Sequence, residues 1–119
     1  MSIDLILSNN DNLRPRDEIK IEKVTLSPYP DNRRIKVQVE VTPFRERPNL
    51  AIAIMDAENR QVASTDAIAL MNFRTAYVLH LRGTDDPAGR YTVRVQLYYE
   101  SPDEVQHAAD TPLEIPAQT

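Results

Sequence analysis

Hydrophobic and polar residues alternate strictly in two stretches of the chain, residues 35–41 and residues 91–97. Successive side chains of a β-strand point to opposite faces, so this spacing places the apolar side chains of each stretch on one face and the polar ones on the other. One dry face and one wet face are typical of an antiparallel sheet that packs on one side only. The pattern therefore predicts an all-β protein built as an antiparallel β-sandwich.

Prolines indicate where further strands end, because proline cannot donate a hydrogen bond to a sheet. The chain has nine prolines and only two glycines, and its apolar residues alternate between the turn signals. We predict about seven strands, at residues 19–26, 34–42, 50–55, 61–65, 73–82, 90–99 and 105–115.

Three of these strands, and the connection after the fourth, carry more detailed expectations. A change of phase at Glu22 and Lys23 is typical of a β-bulge. Residues 50–55 are apolar on both faces, which predicts a central or covered strand, and Pro112 predicts that the last strand lies at an edge or is bulged. Residues 66–72 are rich in helix formers and are predicted to form either a short helix or an irregular crossing between sheets.

The length of 119 residues corresponds to one domain with a single core. We expect residues 1–12 to be an N-terminal segment with a polar linker and residues 13–119 to form the single sandwich domain. The absence of cysteine excludes disulfides and thiolate metal sites, so packing alone must hold the fold.

The net charge of −4 argues against nucleic acid or an anionic membrane as a partner, because both require a basic surface. The start of the chain lacks a basic leader, and no apolar run approaches the length of a membrane span. If residue 1 is the natural start, these features predict a cytoplasmic protein.

The segment Pro87-Ala-Gly-Arg-Tyr-Thr-Val93 resembles the turn before the sixth strand of immunoglobulin-like and fibronectin type III-like domains. The resemblance implies that Tyr91 is a corner tyrosine, whose hydroxyl bonds to backbone a few residues upstream. It also implies that Val93 stands where antibody domains carry a disulfide cysteine. The chain lacks the cysteine pair and the tryptophan of antibody domains, so the resemblance is to a cysteine-free relative and implies a fold rather than a function.

No motif of an enzyme is present: there is no nucleophile elbow, phosphate-binding glycine loop or zinc-binding helix signature. We expect His80, on a polar face, and His107, in an edge strand, to face solvent or a partner. The sequence therefore predicts a protein that is not an enzyme and needs no cofactor.

Acidic turn residues suggest a cation site. In a sandwich, alternate loops share one end, which would gather Asp31, Asp56, Asp85 and Asp86 at one pole, where their oxygens could bind Ca²⁺. Flanking arginines can neutralise the same carboxylates, and Asp is also an ordinary turn residue. A cation- or carbohydrate-binding accessory domain that uses this acidic pole is our alternative function.

The loop at the opposite pole suggests a protein-binding tip made of Phe44, Arg45 and Arg47, because aromatic and arginine side chains often anchor interfaces. The competing interpretation is that Phe44 plugs the end of the sandwich and that its arginines pair with the acidic turn at residues 100–104.

The strand phase of Val78 and Tyr98 points both side chains away from the core, and Tyr98 is the stronger indication of a covered outer surface. The segment at residues 3–7 or a second copy of the chain could cover it. The main prediction is a non-enzymatic β-sandwich module that mediates protein–protein interaction or self-association. The sequence allows a homodimer and does not identify another partner.

Overall fold

Seven β-strands follow a single 3-10 turn in the computed structural model, which describes residues 13–82 and 86–116. The strands are β1 (Ile21–Pro28), β2 (Arg34–Val41), β3 (Asn49–Met55), β4 (Gln61–Ala67), β5 (Arg74–His80), β6 (Gly89–Tyr98) and β7 (His107–Ile115). The 3-10 turn covers Arg16–Glu18. The expected linker at residues 1–12 and the segment at residues 3–7 lie outside the described residues.

The strands form two antiparallel sheets, one of three strands in the order β1-β2-β5 and one of four in the order β4-β3-β6-β7. The chain crosses between the sheets after β2, after β4 and after β5. The predicted all-β antiparallel sandwich is therefore confirmed.

The core lies between the two alternating stretches that define the sequence pattern. Ile35, Val37 and Val39 of β2 are at most 1% exposed, and Val93 and Val95 of β6 are fully buried. Each such side chain stabilises the fold by about 1.5–3 kcal/mol relative to an exposed position. The sandwich is thus held by the residues whose spacing predicts it.

Several local expectations are also confirmed. The pairing of β1 with β2 shifts between Ile21 and Lys23, where the bulge was predicted. β3 pairs with a strand on each side, as a central strand does, and β7 lies at an edge. The crossing after β4 is irregular rather than helical, with Ala69 at a φ of 53°.

The strand boundaries lie within two residues of the predicted ones, and the end of β4 is the difference that bears on the predicted crossing. β4 continues to Ala67, two residues beyond the predicted end, because Asp66 and Ala67 pair with Ala51 and Leu50 of β3. Helix formers do not prevent strand pairing when a neighbouring strand supplies the hydrogen bonds.

The turn before β6 has the geometry implied by the resemblance. The Tyr91 hydroxyl donates a hydrogen bond of 2.6 Å to the carbonyl oxygen of Pro87, and the ring is only 7% exposed. Gly89, at a φ of +139°, provides a backbone conformation that other residues rarely adopt. Tyr91 is therefore a corner tyrosine.

Candidate interaction surfaces

The loops at one end of the sandwich, which we name the acidic pole, are residues 29–33, 56–60 and the described part of 81–88. The Leu81 amide joins the third loop to the first, with a hydrogen bond of 2.7 Å to the Arg33 carbonyl. The Arg82 amide donates at 3.1 Å to the carbonyl of Val62, in the strand that follows the second loop. The acidic turns thus converge at one end, as the alternation of loops predicts.

Asp31 is fully engaged in its own turn. Its carboxylate accepts hydrogen bonds from the amides of Arg33 at 3.0 Å and Arg34 at 3.2 Å, and from Arg34 Nε at 2.8 Å. The amide of Arg33 and the side chain of Arg34 lower the pKa of Asp31 to about 2. The carboxylate stabilises the turn because these donors hold its charged form.

Asp56 is used in the same way. It accepts hydrogen bonds from the amides of Glu58 at 2.9 Å and Arg60 at 2.8 Å, and from Arg60 Nε at 3.1 Å. These contacts, led by the Arg60 amide, lower the pKa of Asp56. Asp86 accepts a hydrogen bond from the Ala88 amide at 3.0 Å.

The candidate calcium ligands do not form a cluster in the part of the chain that the structure describes. Across residues 13–82 and 86–116, no three acidic or histidine side chains come close enough to hold an ion. Asp85 lies outside those residues, so the calcium hypothesis stays a prediction.

A polar groove of about 350 Å³ does lie at the acidic pole. Its charged lining residues are Asp56, Glu58, Arg60, Arg82, Asp86 and Arg90. Carboxylates and guanidinium groups therefore share one concave surface. The fold brings them together from positions as far apart as Asp56 and Arg90, which are 34 residues apart in the sequence.

At the opposite pole Phe44 is a plug rather than an exposed tip. Its ring is 8% exposed and packs edge-on against Phe73, with ring centroids 4.9 Å apart and planes at 88°. The structure therefore corrects the interpretation of Phe44 as an accessible anchor, whereas Arg45 and Arg47 are exposed. Arg45 Nε donates to the Leu13 carbonyl at 3.1 Å.

The acidic turn after β6 forms its ion pair with Arg16 and not with Arg45 or Arg47, the arginines that were expected to pair with it. Arg16 Nη1 contacts Glu100 Oε1 at 2.6 Å, and Arg16 Nε lies 3.3 Å from Glu46 Oε2. Its guanidinium also stacks over the Tyr99 ring at 4.5 Å. Burial and the nearby Glu46 charge raise the pKa of Tyr99 to about 12. Arg16, rather than Arg45 or Arg47, therefore bridges these loops.

Tyr98 is buried, at 5% exposure, although it is not part of the main core cluster, so it is covered and is not available to a partner as an exposed anchor. Strand phase assigns the face on which a residue lies, but it does not show whether that face is covered. Val78, by contrast, is 45% exposed as expected.

Sequence reasoning missed the most exposed large apolar residues. Ile68 is 68% exposed and Met71 is 71% exposed, both in the connection between β4 and β5. Their neighbour Leu70 is only 4% exposed. The apolar run at residues 67–71 was a signal, but sequence alone does not reveal which of its side chains face solvent.

The connection that carries Ile68 and Met71 is held firmly. The Ala69 amide donates to Asn49 Oδ1 at 2.8 Å, and the Leu70 amide donates to the Pro48 carbonyl at 2.9 Å. We name the exposed residues Ile68 and Met71, together with Arg47, which precedes the Pro48 that bonds to Leu70, the loop patch.

The two histidines differ in their roles. His80 is exposed, as expected. His107 is half-buried, and its Nδ1 accepts a hydrogen bond of 3.0 Å from the Ile21 amide, so it joins β7 to β1.

No protein-family model matches the chain, and no curated protein matches it. Solved structures do. A glycosyl hydrolase family 2 member from Bacteroides cellulosilyticus superposes with a TM-score of 0.61 at 17% identity, covering 82% of this chain and 15% of that one. A β-glucuronidase from Bifidobacterium dentium gives 0.62 at 17%, covering 82% and 18%. A putative β-galactosidase from Bacteroides fragilis gives 0.56 at 15%, covering 82% and 17%.

These similarities show the fold. The chain is an immunoglobulin-like β-sandwich. It spans 15% to 18% of the length of these three solved chains, so it corresponds to a small part of each. Among the described residues no helix is both long and apolar enough to cross a membrane.

Proposed function

We propose that the chain is a non-catalytic binding module that contacts a partner protein through the loop patch. The observation that carries this proposal is the exposure of Ile68 and Met71, at 68% and 71%, on a loop whose backbone is tied to Asn49 and Pro48. Large apolar side chains on a fixed loop can be buried at an interface with little loss of backbone entropy.

The composition of the loop patch supports a protein partner. Methionine adapts its shape to different apolar surfaces, and arginine is enriched at interfaces. Arg47 is exposed and directly precedes Pro48, to which the Leu70 amide is bonded. An apolar centre with a basic neighbour favours a partner whose matching surface is apolar with an acidic margin.

The architecture of the similar solved chains also supports an accessory role. In each of the three, the matching region is less than a fifth of a much longer chain named as a glycoside hydrolase or glycosidase. A sandwich domain that forms a small part of such chains need not contain a catalytic site, and fold alone does not assign one.

Site-specific photocrosslinking tests the loop patch. A photoreactive side chain replaces Met71 in the full chain, and the matched control carries it at Lys23, an exposed residue of β1. We expect a defined crosslinked protein from position 71 alone, with a lower yield when Ile68→Ser is added. Equal crosslinking from positions 71 and 23, or a yield that Ile68→Ser leaves unchanged, would refute the proposal.

The polar groove at the acidic pole supports a second candidate, the binding of a sugar. Its carboxylates and guanidinium groups are suited to hydroxyl groups and to a sugar carboxylate. One similar solved chain is named as a β-glucuronidase in complex with a glucuronide.

Calorimetry with glucuronic acid and with glucose tests the second candidate. If the groove binds a sugar acid, glucuronic acid gives heat that Arg82→Ala abolishes, whereas Arg74→Ala, outside the groove, retains it. The absence of heat with either sugar, or an equal loss in both variants, would rule out this candidate.

A further inference from the structure

The two sides of the sandwich where the sheets meet are built differently. On the β1–β7 side two side chains join the sheets. His107 Nδ1 accepts a hydrogen bond of 3.0 Å from the Ile21 amide. Gln106 Nε2 donates to the carbonyl oxygens of Arg16 and Ile19, each at 2.7 Å. Side chains thus close this side of the molecule.

The exposed edges on that side also carry the features that discourage pairing with another strand. β1 has a bulge and the charged residues Glu22 and Lys23, and β7 contains Pro112. Bulges, charges and proline are the usual protection of edge strands.

The β4–β5 side lacks most of this protection. Within the described part of the chain, β4 and β5 are each the last strand of their sheet, and the Arg82 amide bonding to Val62 is the one backbone link that joins these two regions. A groove of about 510 Å³ lies between the two edges, lined by residues 61–65 and by Val78, Leu79, His80 and Arg82.

β5 is the less protected of these two edges. Its central residues 75–79 contain no proline or charged side chain, and it has no bulge against β2, whereas the pairing of β4 with β3 shifts near its start. Val78 is 45% exposed in the middle of this strand, beside the small exposed Ala76. An uncharged, regular edge is a template for another strand.

The sequence of β5 is complementary to itself when two copies run antiparallel. With a two-fold axis at Tyr77, position 76 lies opposite position 78 of the other copy, so each exposed valine meets a small alanine. Arg74 falls at the end of the strand, where Glu40 of β2 already lies 3.5 Å from its Nε. In this register, therefore, no charged side chain faces the same residue of the other copy across the axis.

We propose that β5 pairs antiparallel with β5 of a second copy of this chain. The contact joins two three-stranded sheets into a six-stranded sheet and has the closed two-fold symmetry of most dimers. It does not depend on the loop patch or on the partner proposed for that patch.

Sedimentation velocity of the full chain over a concentration series tests the pairing. We expect a dimer that grows with concentration in the unmodified protein. Ala76→Glu with Val78→Glu places like charges opposite each other in this register and should abolish the dimer. Ala76→Glu with Val78→Lys places opposite charges there and should retain it.

The matched control is Thr25→Glu with Ser27→Glu, which adds the same charge to the same outer face but at the protected β1 edge. It should leave the dimer intact, and thermal melting of each variant checks that it folds. A monomer at every concentration, or a dimer that Ala76→Glu with Val78→Glu does not weaken, would overturn the proposal. Loss of the dimer in Ile68→Ser with Met71→Ser would assign it to the loop patch instead and would overturn it equally.

Discussion

Single polar side chains in the turns of this protein bond to nearby backbone. Asp31 and Asp56 each accept two amide hydrogen bonds within their own loop, and Tyr91 donates one to Pro87, four residues earlier. With only two glycines in the chain, side chains supply much of the turn geometry. Acidic residues that the sequence suggests as metal ligands therefore stabilise the turns in which they lie.

The corner hydrogen bond of Tyr91 should contribute measurably to stability. Tyr91→Phe leaves the Pro87 carbonyl without its donor, so we expect a loss of about 1–2 kcal/mol in urea denaturation. Tyr29→Phe is the matched control, because it keeps the ring on which Arg34 stacks at 4.5 Å. Equal losses in the two variants would contradict the role of the Tyr91 hydroxyl.

Asp31 should make stability depend on pH in the acidic range. Its folded pKa is about 2, below the ordinary value of 3.8, so ionised Asp31 stabilises the fold fully above the ordinary value. That contribution is lost as the pH falls from about 4 toward about 2. We expect the difference in melting temperature between the unmodified protein and Asp31→Asn to shrink over this range.

Thermal unfolding at a series of pH values measures that difference. The matched control is Asp17→Asn, which alters an exposed carboxylate in the 3-10 turn. A difference between the unmodified protein and Asp31→Asn that stays constant down to about pH 2 would contradict the assigned pKa.

At the scale of elements, a side chain from β3 helps to fix the irregular connection between β4 and β5. Asn49 accepts the Ala69 amide at 2.8 Å and donates from Nδ2 to the Tyr99 carbonyl at 3.0 Å. One asparagine therefore ties two loops of the opposite pole to the start of a central strand. Together with the bond from the Leu70 amide to the Pro48 carbonyl, this link holds the turn on which Ile68 and Met71 are exposed.

Removal of that link should loosen the loop patch. Asn49→Ala leaves two backbone groups without partners, so we expect a destabilisation of about 1–3 kcal/mol. We also expect faster hydrogen exchange at the Ala69 amide. Asn72→Ala, an exposed residue of the same connection, should change neither quantity. Unchanged exchange at Ala69 in Asn49→Ala would show that other contacts hold the loop.

At the scale of the whole molecule, Arg16 connects three segments that are far apart in sequence. It contacts Glu46 before β3 and both Tyr99 and Glu100 after β6, at the end where the chain enters the sandwich. The contacts of Arg16 thus close the sandwich at this pole, and His107 and Gln106 close it on the β1–β7 side. The sandwich is most open between β4 and β5.

The Arg16 contact should contribute modestly and depend on salt. We expect Arg16→Ala to lower the free energy of unfolding only slightly, since its ion pairs are solvent-accessible and its cation–π contact is partly exposed. The loss should shrink at high salt, because salt screens the two ion pairs. Arg14→Ala, which removes an exposed pair 4.0 Å from Glu18, is the control. Equal losses in both variants would contradict the bridging role.

The sequence by itself determined the sandwich, the strands that carry its core and the corner tyrosine. These features follow from the period of two along each strand and from a turn only a few residues long, and both are local properties of the chain. The burial of Ile35 and Val93 is predictable, because the alternation of their sequence neighbours specifies the face of the strand on which each side chain lies.

The tertiary structure alone decided which outer residues are accessible. Tyr98 and Ile68 are both apolar and outside the predicted core, yet one is 5% and the other 68% exposed. Likewise Arg16, not Arg45, pairs with the acidic turn after β6. Burial and ion pairing depend on contacts between segments that are distant along the chain, and the alternation of residues within one segment carries no information about them.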